Sequence, residues 1–197
     1  MTGGSGGLGK ELVKILYQKN AKVYIAARSE SKTRDTIEEV KSLLQNSTGE
    51  LIHLPLDLAD LGSIKQSAAS FLSKESRLDV LWNNAGVMVP AQGSKTIQGY
   101  ELQLGTNNLG HFLFTCLLES VLKDTAKVAP KDSVRVVWVS SSALWISPRP
   151  AIDFTNMDYK KDEGPWIKYG RSKCGTVIYA SEFARRHSGD GVLHMVQ

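Results

Sequence analysis

Thr2-Gly3-Gly4-Ser5-Gly6-Gly7-Leu8-Gly9 runs directly into Leu8, Leu12, Ile15 and Leu16, apolar residues at helical spacing. The stretch predicts a glycine-rich turn opening a helix from about Gly7 to Asn20. Glycine lets a backbone approach a ligand closely, and the free N–H groups and partial positive charge of a helix N-terminus favour an anion. Working outward, Ala21 to Ala27 reads as a strand, and Ser31 to Gln45 as a charged amphipathic helix. Leu51 to Leu56 is a second strand, and Asp60 or Ser63 caps a helix reaching about Lys74. Asp79 to Trp82 is a short buried strand leading into Asn83-Asn84-Ala85-Gly86. A long helix is expected from Ile97 to Lys123 and a buried β-branched strand from Val134 to Val139. Ala143 to Pro165 is irregular, Trp166 to His187 helical, and Val192 to Val196 begins one more strand. Strands separated by helices imply right-handed crossovers, a parallel sheet and helices on both faces. The expected fold is therefore α/β, a doubly wound parallel sheet (Rossmann fold), with ligands at the carboxyl ends of the strands.

The 197 residues suggest one domain, 1–197. A hydrophobic fraction of 42% and a charged fraction of 22% are ordinary for a globular protein. No stretch approaches about 18 consecutive apolar residues, so no membrane span is expected. No signal peptide is visible, and Cys116 and Cys174 have no metal-ligand spacing. A reduced, cytoplasmic setting and no metal are the expectation. The net charge of +4 comes from scattered basic residues. It reads as a solvated surface that suits an anionic cofactor, not a nucleic acid.

The turn satisfies several spacings at once. Gly4-x-Gly6-x-x-Gly9 fits the general dinucleotide fingerprint. Thr2-Gly3-x-x-Gly6-x-x-Gly9 has the spacing of nucleotide-sugar epimerases, and Thr2-Gly3-x-x-x-Gly7-x-Gly9 that of short-chain dehydrogenases. The turn alone does not choose among them.

Tyr169-Gly170-Arg171-Ser172-Lys173 carries more chemistry. A tyrosine and a lysine four residues apart share one helix face. A fixed ammonium favours the phenolate of a neighbouring phenol, which equips the pair to exchange a proton with an alcohol or ketone. Thr-Gly-x-x-x-Gly-x-Gly, Asn-Asn-Ala-Gly, a serine ending a strand and Tyr-x-x-x-Lys, in that order, resemble the short-chain dehydrogenase/reductase superfamily, classical type. The long serine-to-tyrosine gap and Asn107-Asn108-Leu109-Gly110-His111-Phe112 look most like its retinol-dehydrogenase-like branch.

The resemblance implies roles residue by residue. Thr2, Gly3, Ser5, Gly6, Gly7, Leu8 and Gly9 would hold the cofactor's phosphates. Asp57, with Leu58, would meet the adenine amino group. Asn84, Ala85 and Gly86 would stabilise the central sheet and line the cofactor channel. Asn107 would hold a relay water, and Ser141, flanked by Ser140 and Ser142, would orient the substrate oxygen. Tyr169 would be the acid/base, and Lys173 would bind the ribose hydroxyls and make the phenol a better acid. The helices from Ile97 and Trp166 would form a homodimer or homotetramer.

The first strand ends Ala26-Ala27-Arg28-Ser29 with no acid to take a ribose 2′-hydroxyl. Arg28 can fork onto a 2′-phosphate, so the expected cofactor is NADP(H) and not NAD(H). His111 is expected to be a packing residue, and His53, His187 and His194 show no metal spacing. Trp145 and Trp166 either line an apolar pocket or anchor the irregular segment.

The expected function is hydride transfer between NADP(H) and a carbonyl or alcohol group of a small, apolar molecule. Relative to the family pattern the chain reads as truncated at both ends, lacking the strand before Thr2 and everything after Gln197. Four buried apolar residues of a missing strand represent about 6–12 kcal/mol, against about 5–15 kcal/mol of net stability for a whole domain. A catalytically inactive or fragmentary nucleotide-binding protein of the same fold is thus the first rival. A nucleotide-sugar epimerase-like enzyme is the second, and Asn83-Asn84-Ala85-Gly86 argues against it.

Overall fold

Helix α1 spans Gly7–Gln18 in the computed structural model, which describes residues 1–197. The chain falls into two units, Met1–Asp57 and Leu58–Gln197. In the first, α1 is followed by strand β1 (Lys22–Ala27), helix α2 (Glu30–Leu43) and strand β2 (Glu50–Pro55). β1 and β2 pair in parallel, from Lys22 opposite Glu50 to Ala27 opposite Pro55. Ser29 caps α2 by accepting a hydrogen bond from the Lys32 amide, which satisfies one of the free donors of the first turn. Thr2 forms a parallel bridge with Ala26, so the residues entering the glycine turn lie alongside β1.

The buried face of α1 departs from expectation. Leu8 and Ile15 are 79% and 56% exposed, whereas Gly9, Val13 and Tyr17 are buried. That stripe, four residues apart, faces β1, and a Cβ on Gly4 would stand 3.0 Å from Val13 Cγ2 and 3.1 Å from Ile25 Cγ2. Hydropathy favoured the leucines; close packing at Gly4 selected the other face.

The second unit holds helix α3 (Leu61–Leu72), strand β3 (Val80–Asn83) and a π-helical stretch, Leu104–Gly110. Helices α4 (His111–Leu117) and α5 (Glu119–Val128) and strand β4 (Val134–Trp138) follow. A short 3₁₀ turn (Ser142–Ile146), helix α6 (Pro165–Arg186) and strand β5 (Val192–Val196) complete it. β3, β4 and β5 form a parallel sheet with β4 in the middle. Val134, Val136 and Trp138, alternate residues on one face of β4, are essentially inaccessible, and Val137 on the other face is buried as well. Trp138 packs against Tyr179 and Phe183 of α6, at ring-centroid distances of 5.8 and 5.6 Å. Both sheets are wholly parallel with helical connections, the α/β architecture expected.

The expected single helix from Ile97 to Lys123 is not continuous. Thr96 to Tyr100 forms a turn, and Gly99 has a φ of +85°, a conformation an α-helix cannot accommodate. Ile97 is left 78% exposed outside the helix. Helical structure begins at Leu102, widens into the π-helical stretch, breaks between α4 and α5, and runs on to Val128.

Candidate active site

In the first unit the candidate ligand groups are mainly backbone. Gly3 and Gly7 have φ values of +68° and +52°, which favour glycine. Gly6 caps α1 with no side-chain acceptor on its amides, and the first turn has no acidic residue. Nothing lies within 4 Å of where a Cβ on Gly6 or Gly7 would be. Free amides, open space and positive potential together fit a phosphate-bearing cofactor. Ser5 uses its carbonyl to accept from Thr36 Oγ1, which ties the turn to α2. Thr2 and Gly9 are buried; Leu8 is exposed and fills no core. Arg28 is exposed at the end of β1, just ahead of the Ser29 cap, and Asp57 is half-buried after β2.

In the second unit Leu58 is buried. A Cβ on Gly110 would meet its carbonyl oxygen at 2.5 Å, so Leu58 serves packing against the π-helical stretch. Tyr169 and Lys173 lie on α6, and the Lys173 ammonium is 5.7 Å from the centroid of the Tyr169 ring. Lys173 is buried and its Nζ donates to the Val139 carbonyl at 2.9 Å, at the end of β4. Burial pushes its pKa below the usual lysine value. Tyr169 and Ser141 are half-buried, so both hydroxyls lie beside a buried framework without being sealed into it.

The serine neighbours are not equivalent. Ser140 Oγ donates to the Lys173 carbonyl at 2.9 Å and fastens β4 to α6. Ser141 caps the 3₁₀ turn by accepting from the Ala143 amide at 3.2 Å, which leaves its own proton available to a substrate oxygen.

Asn107 is buried in the π-helical stretch with its side chain fully engaged. Its Oδ1 accepts from the Val87 amide at 2.9 Å, and its Nδ2 donates to the Val87 carbonyl and to Ser172 Oγ, both at 3.0 Å. Ser172 Oγ in turn donates to the Tyr169 carbonyl. The asparagine thus stands in for a missing strand partner of the loop that holds Asn84, Ala85 and Gly86, and it links that loop to α6. A Cβ on Gly86 would stand 3.1 Å from Asn107 Oδ1 and 3.8 Å from Lys173 Nζ, so the close approach depends on glycine.

Three contributors escaped the sequence reading. Asn83, at the end of β3, donates to Thr115 Oγ1 at 2.9 Å. Gln103, wholly buried, accepts from the Val89 amide and donates to the Pro165 carbonyl, both at 3.0 Å, joining the loop after β3 to the start of α6. Ser172 is the link described above. A signal existed for part of this: Gln103, Asn107, His111 and Thr115 recur every four residues among leucines, glycines and phenylalanines. Polar residues on the buried side of a helix must find partners.

His111 is buried with Nδ1 3.2 Å from the Asn107 carbonyl oxygen. Burial, with the nearby Lys173 charge as a lesser cause, pushes its pKa down to about 4. Glu119 comes together with His187 and Asp190, and the Lys123 ammonium lies 2.6 and 2.7 Å from the two carboxylates. That cation offsets part of the cluster's negative charge. No helix is long and apolar enough to cross a membrane.

The family description "short chain dehydrogenase" matches residues 1–146. Short-chain dehydrogenase/reductase pkfC of Emericella nidulans is 56% identical over 191 residues, covering 97% of this chain and 61% of that protein. A short-chain dehydrogenase/reductase of Phomopsis amygdali is 54% identical, covering 98% of this chain and 58% of its own. Among solved structures, an uncharacterized protein from Mycobacterium Paratuberculosis superimposes with a TM-score of 0.79 at 30% identity, over 99% of this chain and 65% of that one. The Pseudomonas aeruginosa RhlG/NADP active-site complex gives a TM-score of 0.74 at 25% identity, over 99% and 68%. The architecture is a Rossmann-type α/β fold, and the chain belongs to the short-chain dehydrogenase/reductase family. It spans about 60% of the length of the curated relatives it matches.

Proposed function

We propose that residues 1–197 are a dinucleotide-binding and catalytic domain of an NADP(H)-dependent oxidoreductase acting on a carbonyl or alcohol group of a small, apolar molecule. The observation that carries this reading is the buried Lys173 ammonium held one helical turn from the half-buried Tyr169. When bound, the nicotinamide supplies or accepts the hydride. The amides at the start of α1 would hold the phosphates, and Arg28 would pair with a 2′-phosphate through its fork. Lys173 would hold the nicotinamide ribose hydroxyls. In the reducing direction Tyr169 donates its phenolic proton to the substrate oxygen as negative charge develops there. Ser141 hydrogen-bonds the same oxygen, and in the oxidising direction the proton returns to Tyr169. Positioned proton transfer of this kind contributes roughly 10²–10⁴ in rate.

Support for NADP comes from Arg28 standing where an NAD-selecting acid would stand, and from the likeness in fold to the Pseudomonas aeruginosa RhlG/NADP active-site complex. The retinol-dehydrogenase-like affiliation, a cytoplasmic setting and self-association through the long helices belong to the same proposal. The test follows NADPH oxidation against a panel of apolar ketones and aldehydes. Turnover should fall about 10²–10⁴-fold in Tyr169→Phe with NADPH binding retained. NADPH binding without turnover of any compound would favour the inactive nucleotide-binding reading, and a preference for NADH would remove the role given to Arg28.

A further inference from the structure

Tyr169 begins the second turn of α6, so its place depends on how the first turn is held. α6 starts at Pro165, and Gly164 at its cap position supplies no side-chain acceptor. In an α-helix the carbonyl of residue 165 is the acceptor for the amide of residue 169. That same carbonyl takes a hydrogen bond from outside the helix, because Gln103 Nε2 donates to it at 3.0 Å. The carbonyl of Tyr169 itself accepts from Ser172 Oγ at 2.8 Å, and Ser172 Oγ accepts from Asn107 Nδ2 at 3.0 Å. The backbone around the phenol is therefore fastened at two points, and both lead back to side chains four residues apart, Gln103 and Asn107. Trp166, in the first turn, meets the Tyr169 ring edge-on at 6.3 Å. A shift of that turn thus reaches the phenol through the ring contact as well as through the backbone.

The same two side chains hold the loop after β3. Asn107 bonds Val87 through both its amide and its carbonyl, and Gln103 Oε1 accepts from the Val89 amide at 3.0 Å. Val89 has a φ of +49°, where a β-branched residue is a genuine outlier. Such conformations persist only where the surroundings over-determine them, and they cluster at functional sites. Gln103 is 0% exposed, so both ends of its side chain are committed to these two partners in a space closed to water. A primary amide suits the task because one rigid plane carries an acceptor and a donor. The length of the glutamine side chain fixes the gap between the strained Val89 and the start of the helix that carries Tyr169 and Lys173.

We propose that Gln103 is a positioning residue for Tyr169. By bonding Val89 with one end and Pro165 with the other, it sets where the first turn of α6 stands against the loop of Asn84, Ala85 and Gly86, and so where the phenol meets the substrate oxygen. This rests on the oxidoreductase reading above. An apolar side chain of the same length would fill the space but leave the Val89 amide without its acceptor and the Pro165 carbonyl without its outside donor.

The experiment compares Gln103→Met and Gln103→Asn with the wild-type chain in three measurements. These are NADPH binding, exchange of the Tyr169 amide hydrogen followed by NMR, and NADPH-dependent reduction of the panel of apolar ketones and aldehydes. Gln103→Met keeps the length and removes both bonds; Gln103→Asn keeps the polarity and is too short to span both partners. In Gln103→Met the Tyr169 amide should exchange at least about tenfold faster, with amides from Thr176 onward unchanged. Its kcat should fall at least about tenfold, since a misplacement near 1 Å can cost about 10²-fold. KM and the NADPH Kd should stay within about twofold, the mark of a loss confined to the transition state. Gln103→Asn should show the same changes to a smaller degree. Unchanged exchange overturns the fastening, and faster exchange with unchanged kcat leaves Gln103 a structural residue and overturns the positioning role. A loss carried by KM or by NADPH binding overturns it too. A wild-type chain that reduces no compound sinks the oxidoreductase reading and the positioning role with it, a result distinct from an active enzyme whose kcat ignores Gln103. Should Gln103→Met fail to fold, Gln103→Asn decides by the same readings. A wild-type Tyr169 amide that exchanges as fast as an unprotected one overturns the fastening without any variant.

Discussion

Met1–Asp57 and Leu58–Gln197 build their candidate sites from different material. In the first unit the groups are mainly main-chain amides at the mouth of α1, exposed by glycines and left without side-chain caps. In the second they are side chains fixed by other side chains: Asn107 through Val87 and Ser172, Lys173 through Val139, Arg171 through Glu163. A site built from backbone needs only local geometry, and a single non-glycine residue spoils it. A site built from side chains needs a buried network, and it is sensitive to whatever protonates or unpairs that network.

The contrast can be broken in three ways. The largest effect is on the second unit's pH dependence. His111 has an ordinary pKa of 6.5 and is held at about 4 in the fold, chiefly by burial. Between those values the unfolded chain binds a proton that the folded one excludes, so stability is complete above about pH 6.5 and falls as the pH drops towards 4. The loss should reach on the order of 3 kcal/mol, and His194, also held at about 4 by burial, acts in the same direction. Urea unfolding from pH 7 to 4.5 should show the decline, and His111→Gln should reduce it by about half, leaving the share due to His194. An unchanged slope in that variant would mean the buried imidazole is not its source.

Next is Gly3→Ala in the first unit. Holding alanine at a φ of +68° costs about 1–2 kcal/mol. NADPH affinity should fall by roughly that much, about 5–30-fold. The pH profile of the second unit should not move. If affinity is unaffected, the turn does not bind through its backbone shape. The smallest effect is Arg28→Ala. Loss of the fork should reduce the preference for NADPH over NADH about tenfold, near 1.4 kcal/mol, in competitive binding. A weakening of both cofactors alike would make Arg28 a general electrostatic contributor instead.

Much of the fold was legible because each strand is a short apolar run bounded by turn residues. Ala21–Ala27, Leu51–Leu56 and Val134–Val139 were expected within a residue or so of β1, β2 and β4. Tyr169 and Lys173 were legible because four residues of helix is a local spacing. The buried face of α1 was not, since Val13 and Tyr17 are no more apolar than Leu8 and Ile15 and only the contact at Gly4 decides between them. The interruptions of the long helix were also missed. Gly99 marks one, but nothing in the local pattern separates the π-helical turns at Leu104–Gly110 from ordinary helix.

Local interactions thus settled the alternation of strand and helix, the glycine turn and the placing of a phenol one turn from an ammonium, because each depends on neighbours a few residues away. The engagement of Asn107 with Val87, the anchoring of Ser140 on α6 and the clasp between Arg171 and Pro150, Ala151 and Glu163 awaited the folded chain. They join groups from 8 to 33 residues apart, and a polar side chain's partner is chosen by which unsatisfied group burial brings within about 3 Å.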